Sequence, residues 1–550
     1  MAVLVIIEYK YYNSINKANG GPAMGIYLNP RNDAFQMMLN TDTYVDKSML
    51  ISYTNKIFAT EKRFACVSRP RRFGKSVNLN MLSAFYSKGC DSRAMFEKLK
   101  IAETPDWDKH MNQYNVIHIN MQNFLSNSKS MTELLELLKK CLMKDFKRAY
   151  KQYNDIDYEH SLSFCMEEIY AEEELPFVIL IDEWDCVFRE HRDDKEAQEK
   201  YLDFIRDWLK DKSYVALAYM TGILPIKKYG THSALNMFTE YSMTNSGKLA
   251  EYTGFTEDEI SELCKRYDKN PNEMRYWYNG YRIDDSVRLY CPRSVVAAIE
   301  MGKYDDYWSR TETFEALSKY ISFDFDGLNE SVSRLLAGER IAVNIRSFQN
   351  DMYSMQIKDD ILTLLIHLGY LGYLFDTKEV YIPNKEIFDE FVTAMTVEKK
   401  WEKTIEAVQK SKELLELTVK GKADEVAEHI EKIHREGCEP KHYNSEQALR
   451  YTVLIAYFYA REKYTIIQEI PAGNGFADIL LMPNFQNPDG IPIIIELKYD
   501  KSADSAIAQI KNRHYPDAVK NYEKILLVGI NYDKDSTDKK HECIIEEFTV

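Results

Sequence analysis

The chain has 550 residues, of which 45% are hydrophobic and 29% charged, so it can form roughly two to four domains with substantial apolar cores. This composition excludes a chain that is disordered throughout. The formal net charge of −15 disfavours a general nucleic-acid coat protein, although a local basic groove is compatible with it.

Neither the cysteines nor the apolar segments indicate a secreted or membrane protein. The nine cysteines include no CxxC pair, which argues against a zinc knuckle or a disulfide framework and predicts reduced thiols. The apolar run at the N-terminus lacks a basic leader and is interrupted by Glu8 and Lys10, so it is a poor signal peptide. The longest other apolar run, residues 361–375, is too short to cross a bilayer and predicts a core helix followed by a strand. We therefore expect a soluble, cytoplasmic protein without a membrane partner.

In the first 300 residues, short β-branched runs alternate with longer amphipathic segments. The runs at 63–68, 115–120, 177–181 and 214–220 are predicted strands, and the segments between them have apolar residues at helical spacing. This alternation predicts an α/β domain with a parallel sheet.

The remaining chain changes pattern twice. Helical periodicity dominates from about residue 300 to 439, and its charged run at 396–437 favours a solvated connector over a binding surface. After residue 440, a helix, three strands with turn-rich joints, a second helix and a further strand are predicted. They indicate a small, separate α/β unit.

The segment RPRRFGKS, residues 69–76, follows a predicted strand and opens a predicted helix. In a phosphate-binding loop, backbone N–H groups surround a phosphate, a lysine reaches the β- and γ-phosphates, and a hydroxyl holds Mg²⁺. Gly74, Lys75 and Ser76 fill the last three motif positions, whereas Arg69 replaces the leading glycine. The tripeptide alone is a weak signal, and the strand–loop–helix context strengthens it.

The segment FVILIDEWD predicts a buried strand that carries acidic residues to its C-terminal end. Asp182 and Glu183 would supply the Mg²⁺ shell and a base that orients the attacking water, and Asp185 adds a third carboxylate. Thr221, after the next strand, is either a γ-phosphate sensor or structural. The alternative for the acidic pair is a solvated strand end, which the upstream loop makes the weaker interpretation.

Positive charge is concentrated at the phosphate loop. Arg69, Arg71 and Arg72 join Lys75 there. The arginines are predicted either to bind phosphates or to neutralise the acidic strand ends without any ligand. We favour phosphate contact.

A second group of polar residues lies in the C-terminal unit. Asp478 lies near the start of one predicted strand, and Glu496 and Lys498 share one face of the next because side chains alternate along a strand. The two carboxylates, with the Leu497 carbonyl, are predicted to hold Mg²⁺, while Lys498 orients the nucleophilic water or stabilises charge on the phosphate.

The following helix carries Gln509 and leads to Tyr515, and both are placed to brace this site or to contact a nucleic-acid backbone. A lone ExK on a strand is usually a solvated pair. Here it interrupts a wholly apolar strand, with an aspartate one strand earlier and a glutamine on the following helix, so the combination is a strong signal for phosphodiester hydrolysis.

Taken in order, the motifs resemble a known family. They are MGIYLNPRNDAF, YVDKSMLI, RPRRFGKS, LIDEWD, YMTGILPI, GFTEDEI, WYNGY, CPRSVV, IHLGYL, ADILLMP, IIELK and QIKNRHY. The chain is similar to the bacterial proteins that pair an AAA-ATPase-like domain with a C-terminal PD-(D/E)XK nuclease-superfamily domain. The resemblance starts at Met24 and covers nearly all of the chain.

The resemblance implies an α/β protein with three parts. These are a P-loop NTPase (AAA-like) parallel-sheet domain at 24–300, a mostly helical middle region at 301–440, and a small α/β restriction-endonuclease-like domain at 441–550. Residues 1–23 would be an N-terminal tail.

The resemblance also assigns residues. Arg69 belongs to the family's usual arginine-rich loop, which leaves ATP hydrolysis open for the whole group. The nuclease positions map onto Asp478, Glu496, Lys498 and Gln509, and Glu446 is a candidate extra acidic ligand. Asn120 stands where the family usually has an aspartate, without an assignable consequence.

The leading hypothesis is a nucleotide-regulated nuclease with ATP and Mg²⁺ as cofactors. DNA is favoured over RNA as its partner, and a homo-oligomer is left open. The competing hypothesis is a nucleotide-dependent switch whose nuclease-like domain only binds nucleic acid, and the complete set of nuclease residues argues against it. A metabolic P-loop kinase does not account for the C-terminal domain.

Overall fold

The computed structural model describes most of the chain. The described residues are 25–226, 235–283, 287–308, 314–323, 325, 327–346, 348, 355, 357–396, 401–437, 445–472, 475–515, 519–535 and 540–549. The predicted tail at 1–23 lies outside them.

The helices and strands before residue 302 alternate as the sequence predicts. In chain order they are α1 (Asp33–Leu39), α2 (Met49–Ile57), β1 (Phe64–Ser68), α3 (Lys75–Tyr86), α4 (Arg93–Phe96), β2 (Asn115–Asn120), α5 (Met121–Leu125), α6 (Met131–Ala149), α7 (Leu162–Glu173), β3 (Phe177–Asp182), α8 (Cys186–Glu190), α9 (Lys195–Leu209), β4 (Val215–Gly222), β5 (Thr239–Tyr241), β6 (Phe255–Thr256), α10 (Glu257–Arg266), α11 (Pro271–Tyr278), β7 (Tyr281–Arg282), β8 (Arg288–Tyr290) and α12 (Pro292–Met301). Short 3₁₀ helices occupy Lys100–Glu103 and Gly247–Tyr252.

The second half is helical until a sheet forms near the C-terminus. Its elements are α13 (Phe314–Ser322), α14 (Leu328–Leu336), β9 (Ile341–Ala342), α15 (Lys358–Leu368), β10 (Gly372–Leu374), β11 (Glu379–Tyr381), α16 (Lys385–Thr396), α17 (Glu402–Val419), α18 (Ala423–Gly437), α19 (Glu446–Ala456), α20 (Ala460–Lys463), β12 (Tyr464–Ala472), β13 (Gly475–Pro483), β14 (Ile493–Tyr499), α21 (Ala503–Asn512), β15 (Lys524–Tyr532) and β16 (His541–Thr549). The core helix and strand expected at 361–375 are confirmed as α15 and β10.

The elements divide into two compact units. The first unit comprises the described residues up to Pro271 with Tyr278–Lys303 and Val343–Val380, and the second comprises Asn272–Trp277, Tyr304–Ala342 and the chain from Tyr381 onward. Among the helices that the structure describes, none combines the length and apolar character needed to cross a membrane.

The first unit is built on the predicted parallel sheet, whose strand order is β2-β3-β4-β1-β5. Every residue of β1, β3 and β4 is buried, which explains their continuous apolar runs. Because β4 lies between β1 and β3, the strand before the phosphate loop and the strand with the acidic end are not neighbours. All five strands run in parallel, so their C-terminal ends meet at one edge of the sheet.

The second unit contains a mixed five-stranded sheet in the order β12-β13-β14-β15-β16. Only β14 and β15 pair in parallel, and α21 makes the crossover between them. Ile493 and Ile495 face one hydrophobic cluster with residues of α17, α18 and α19, whereas Ile494 faces another with Ile507 and Ile510 of α21. The sheet is therefore covered on both faces.

Helices α17 and α18 form part of the second unit's core. Leu414 and Leu415 of α17 are buried, as are Val426, Ile430 and Ile433 of α18. The charged run around them, which by itself favours a solvated connector, therefore has one apolar face packed beside the sheet.

Candidate functional sites

The phosphate-loop motif folds as a strand, a six-residue loop and a helix. Gly74 adopts a left-handed conformation with φ +87° directly before α3, and a Cβ built on it would meet no atom within 4 Å. A glycine suits this position because other residues are strained at such φ values. No side-chain oxygen of the described residues caps α3, so its first N–H groups are available to an anion.

Lys75 and Ser76 are the first two residues of α3. The Lys75 ammonium is buried and donates to the carbonyl oxygens of Arg69 (3.0 Å) and Pro70 (2.8 Å). Burial lowers its pKa to about 8, although the nearby carboxylate of Asp182 acts in the opposite direction. The lysine is thus a desolvated cation bonded to the carbonyl oxygens at the start of the loop.

Asp182 joins three elements at the C-terminal edge of the sheet. Its carboxylate accepts hydrogen bonds from the hydroxyls of Ser76 and Thr221, both at 2.5 Å. It also accepts one from the Glu183 N–H at 3.0 Å. The predicted magnesium residues Ser76 and Asp182 are therefore brought together, and Thr221 is linked to them through the Asp182 carboxylate.

Glu183 and Asp185, both on the segment after β3, have different surroundings. Glu183 is partly exposed, has φ +51° and forms an ion pair with Arg189 at 2.6 Å. Asp185 is fully buried and accepts hydrogen bonds from the N–H groups of Ile223 (3.0 Å) and Leu224 (2.8 Å). Asp185 therefore fixes the chain that follows β4, whereas Glu183 is partly exposed and paired with Arg189.

Arg189 is a site residue that the sequence analysis does not single out. Its guanidinium contacts Glu183 and also Asp185, the latter at 3.3 Å. Burial acts to lower its pKa, but these two carboxylates outweigh burial and raise it. The four-residue spacing from Asp185 to Arg189 on a helical turn is the signal that could have identified it.

The loop arginines are placed differently from one another. Arg69 is fully buried, and its guanidinium donates to the carbonyl oxygens of Ser68 (3.0 Å) and Tyr241 (3.1 Å). Burial lowers the pKa of Arg69 to about 10. Its side chain anchors the start of the loop to β5, so this placement does not support phosphate contact. Arg71 is exposed and Arg72 half-buried, and for both the phosphate contact stays a prediction.

In the second unit, the residues predicted for the nuclease site meet where two strands separate. The pairing between β13 and β14 ends at Ile479 opposite Ile495. The Asp478 carboxylate then accepts the Leu497 N–H at 2.8 Å. A side chain thus takes the place of a strand carbonyl at this position, which keeps Asp478 beside β14.

Glu496, Lys498 and Gln509 form one hydrogen-bonded cluster. The Lys498 ammonium donates to Glu496 Oε1 and to Gln509 Oε1, both at 2.8 Å. The Gln509 amide donates to Glu496 and to the Tyr515 hydroxyl, the latter at 3.2 Å. The strand alternation therefore places Glu496 and Lys498 on the α21 face, as predicted.

The electrostatics of this cluster suit a divalent cation. The pKa of Glu496 is raised to about 7, chiefly by burial and then by the charge of Asp478, while Lys498 acts in the opposite direction. Burial likewise raises the pKa of Asp478. Glu496 Oε2 is buried and has no hydrogen-bond partner among the described residues. Such an oxygen is costly unless a cation or a donor contacts it.

The donor set decides which ion fits. No group of three histidine, cysteine, aspartate or glutamate side chains arranged for a metal occurs within the described ranges. Two carboxylates with a backbone carbonyl nevertheless suit Mg²⁺, which commonly uses one or two carboxylates together with water and phosphate oxygens. Asp478, Glu496 and the Leu497 carbonyl are therefore compatible with that ion.

Comparison with known proteins identifies the class of both regions. Residues 33–231 match the family model of a predicted AAA-ATPase, and residues 444–542 match the PD-(D/E)XK nuclease superfamily. The chain thus carries an AAA-ATPase-like domain and, near its C-terminus, a PD-(D/E)XK nuclease-superfamily domain, as the sequence resemblance implies.

Individual relatives are distant. An uncharacterized protein in the vnfD 5′ region of Azotobacter chroococcum mcd 1 is 21% identical over 263 residues, which cover 45% of this chain and 47% of that protein. The chain therefore spans about half the length of this curated relative.

The solved structures that match include two of the Aeropyrum pernix ORC2 protein. The ADPNP–ADP complexes are 13% identical with a TM-score of 0.29, covering 66% of this chain and 98% of that one. The ADP form is 12% identical with a TM-score of 0.25, covering 64% and 92%. These TM-scores are too low to support an argument about the fold. The description of the first unit rests instead on its own strand order.

Proposed function

We propose that the protein is an ATP-regulated, Mg²⁺-dependent nuclease that hydrolyses phosphodiester bonds, with DNA as the favoured substrate. The observation that carries this proposal is the convergence of Glu496, Lys498 and Gln509, with a buried Glu496 oxygen that lacks a partner among the described residues. The proposed domains keep the predicted bounds of 24–300, 301–440 and 441–550. A cytoplasmic location and a homo-oligomer stay predictions.

At the nuclease site, Asp478, Glu496 and the Leu497 carbonyl would hold the ion. When bound, Mg²⁺ would supply Lewis-acid stabilisation of phosphate charge and lower the pKa of its water. Lys498 is held by Glu496 and Gln509, and it would stabilise the charge that develops during cleavage. Gln509 would keep both partners oriented.

At the nucleotide site, each residue has a separate task. The backbone around Gly74 would bind phosphate, and Lys75 would exchange its two carbonyl partners for phosphate oxygens. Ser76 and Asp182 would hold the ion that accompanies ATP. Glu183 would orient water, provided that its bond to Arg189 opens.

The nuclease proposal is tested by incubating the purified full chain with DNA and with RNA, with and without Mg²⁺ and ATP. We expect Mg²⁺-dependent cleavage that Asp478→Ala or Glu496→Ala abolishes, while nucleic-acid binding is largely retained because it depends on backbone contacts elsewhere. Lys498→Ala should lower the cleavage rate by roughly 10²- to 10³-fold, with a smaller effect on metal affinity.

Two results would overturn the proposal. One is unchanged cleavage by the Asp478→Ala, Glu496→Ala double variant. The other is wild-type protein that binds nucleic acid and never cleaves it, which would favour the nucleotide-dependent switch. Cleavage of RNA and not DNA would change the substrate but keep the reaction.

ATP hydrolysis is tested separately with Glu183→Gln. This variant should bind ATP as the wild type does, while phosphate release falls by roughly 10²-fold or more, the scale for loss of a general base. Wild-type protein that binds ATP without releasing phosphate would make the domain a nucleotide-binding switch.

A further inference from the structure

Helix α19 carries two charged residues, Glu446 and Arg450, that the cluster described above does not include. The helix begins after Ser445, whose hydroxyl accepts the Ala448 N–H at 3.0 Å. Leu449 is fully buried in the hydrophobic cluster beside the sheet. Glu446 and Arg450 are four residues apart, so they lie one above the other on the same face of the helix.

A contact to β12 fixes the position of Arg450. Its guanidinium donates to Gln468 Oε1 at 3.2 Å. Gln468 is paired with Ile479 in the sheet, and Ile479 is the residue directly after Asp478. The half-buried guanidinium is therefore held beside the position at which Asp478 leaves the ladder to accept the Leu497 N–H.

Both α19 charges act on Asp478. Burial raises the pKa of Asp478, and the Leu497 N–H, Lys498 and Arg450 oppose that shift. Glu446 acts in the same direction as burial. A cation and an anion from one helix turn thus both influence the same carboxylate.

Lys498 and Arg450 are two cations with different hydrogen-bond partners. The Lys498 ammonium is already bonded to Glu496 and Gln509 on the α21 face. A planar guanidinium suits a phosphate because it offers two parallel donors. Arg450, held at Gln468 of β12, is a second cation whose charge acts on Asp478.

We propose that Arg450 is a substrate-binding residue of the nuclease site, which contacts a non-bridging oxygen of the phosphodiester from the α19 side. This inference rests on the proposed function, because it takes nucleic acid as the ligand. It adds a cation contributed by the helix that leads into the domain to the residues on β13, β14 and α21.

The test compares the full chain with Arg450→Ala and Arg450→Lys in EDTA, where no cleavage occurs, with a short DNA duplex as the probe. Arg450→Ala should weaken binding by about tenfold and reduce the dependence of log K on log salt by about one phosphate contact. Arg450→Lys should restore the salt dependence but only part of the affinity, because a lysine lacks the paired donors. Arg435→Ala, at an exposed ion pair with Glu431 in the same unit, is the matched control and should match the wild type.

A second readout distinguishes substrate binding from a structural role. Calorimetry with Mn²⁺ in the absence of DNA should show tighter binding to Arg450→Ala, because a positive charge near the carboxylates is removed, and weaker binding to Glu446→Gln. If Arg450 had only a structural role, Arg450→Ala would lower the thermal stability and weaken metal binding. It would leave the salt dependence of DNA binding unchanged.

Unchanged DNA affinity and salt slope in Arg450→Ala would overturn the inference while leaving the proposed nuclease intact. Wild-type protein that neither binds nor cleaves nucleic acid would instead defeat the proposed function, so the two failures are distinguishable.

Discussion

Lys75 is a buried cation whose hydrogen-bond partners are neutral carbonyl oxygens, and we predict that an anion replaces them. The ammonium is buried against two loop carbonyls, and burial lowers its pKa to about 8. A phosphate would replace neutral acceptors with charged ones, and charge-assisted hydrogen bonds are about twice as strong. The protonated form of Lys75 should therefore be favoured when nucleotide binds.

Lys75→Ala should weaken binding of ATP with Mg²⁺ by roughly 100-fold or more, because it removes the main cation at the β- and γ-phosphates. Calorimetry at pH 8 in buffers of different ionisation enthalpy should also show proton uptake by the wild type and none by the variant. Lys98→Ala, on an exposed side chain, serves as the control. Equal ATP affinity in the wild type and in Lys75→Ala would contradict the prediction that residues 69–76 form a phosphate-binding loop.

Glu496 is the residue through which we expect metal affinity to depend on pH. Its pKa in the folded protein is about 7, above the ordinary value of 4.5, chiefly because of burial. A raised carboxyl pKa contributes stability that is fully present below the unfolded-state value and is lost as the pH rises through the folded-state value. Metal binding requires the charged form, so it should improve over the same interval.

Between pH 5 and 7, Mn²⁺ affinity should therefore rise by up to about tenfold per pH unit and level off above pH 7. In metal-free buffer, Glu496→Gln should become more stable relative to the wild type as the pH increases from 5 to 8. Thermal denaturation and calorimetry across that range test both statements, with the exposed Glu523→Gln as the control. A pH-independent stability difference would contradict the raised pKa.

At the scale of elements, the distance between α21 and the sheet depends on one glycine. A Cβ built on Gly529 of β15 would lie 2.6 Å from the Ala503 carbonyl oxygen and 3.0 Å from the Ala506 Cβ. Displacing the backbone of a packed helix costs free energy, because the protein interior is closely packed. Gly529 therefore allows the close approach that lets Gln509 reach Glu496 and Lys498.

Gly529→Ala should displace α21 and destabilise the second unit by about 1 to 3 kcal/mol, the usual cost of overpacking. It should also reduce cleavage, since Gln509 moves with its helix. Denaturant unfolding and cleavage assays measure the two effects. Ala508→Ser adds one heavy atom on the exposed side of the same helix and should change neither. Wild-type stability in Gly529→Ala would contradict the packing argument.

For the whole molecule, the proposal requires that the nucleotide and nucleic-acid sites influence each other. Linkage requires such an influence to be reciprocal for binding: the factor by which ATP changes nucleic-acid affinity equals the factor by which nucleic acid changes ATP affinity. The domain order is the basis of this expectation.

We expect a non-hydrolysable ATP analogue to change DNA affinity by roughly 5-fold or more under conditions in which the DNA is not cleaved. DNA should change the affinity for the analogue by the same factor. Lys75→Ala should abolish the effect of the analogue while keeping the affinity for DNA measured without nucleotide. Titrations in both orders provide the two factors. A factor of one in either titration would make the nuclease independent of nucleotide.

The sequence by itself determined the local features of both sites. A buried strand followed by a loop and a helix places Gly74, Lys75 and Ser76 at a helix start, and the two-residue period of a strand places Glu496 and Lys498 on one face. These features depend on backbone geometry within a few residues, which the chain encodes locally.

Only the tertiary structure decided which distant residues meet and which way the loop side chains point. Thr221 reaches Asp182 because β4 lies next to β3, and strand order is a property of the whole sheet. Arg69 turns inward to Tyr241, and Arg450 reaches the sheet at Gln468, through contacts between residues far apart in sequence. A residue's type and spacing leave such directions open, because they are set by the packing of elements that local periodicity does not specify.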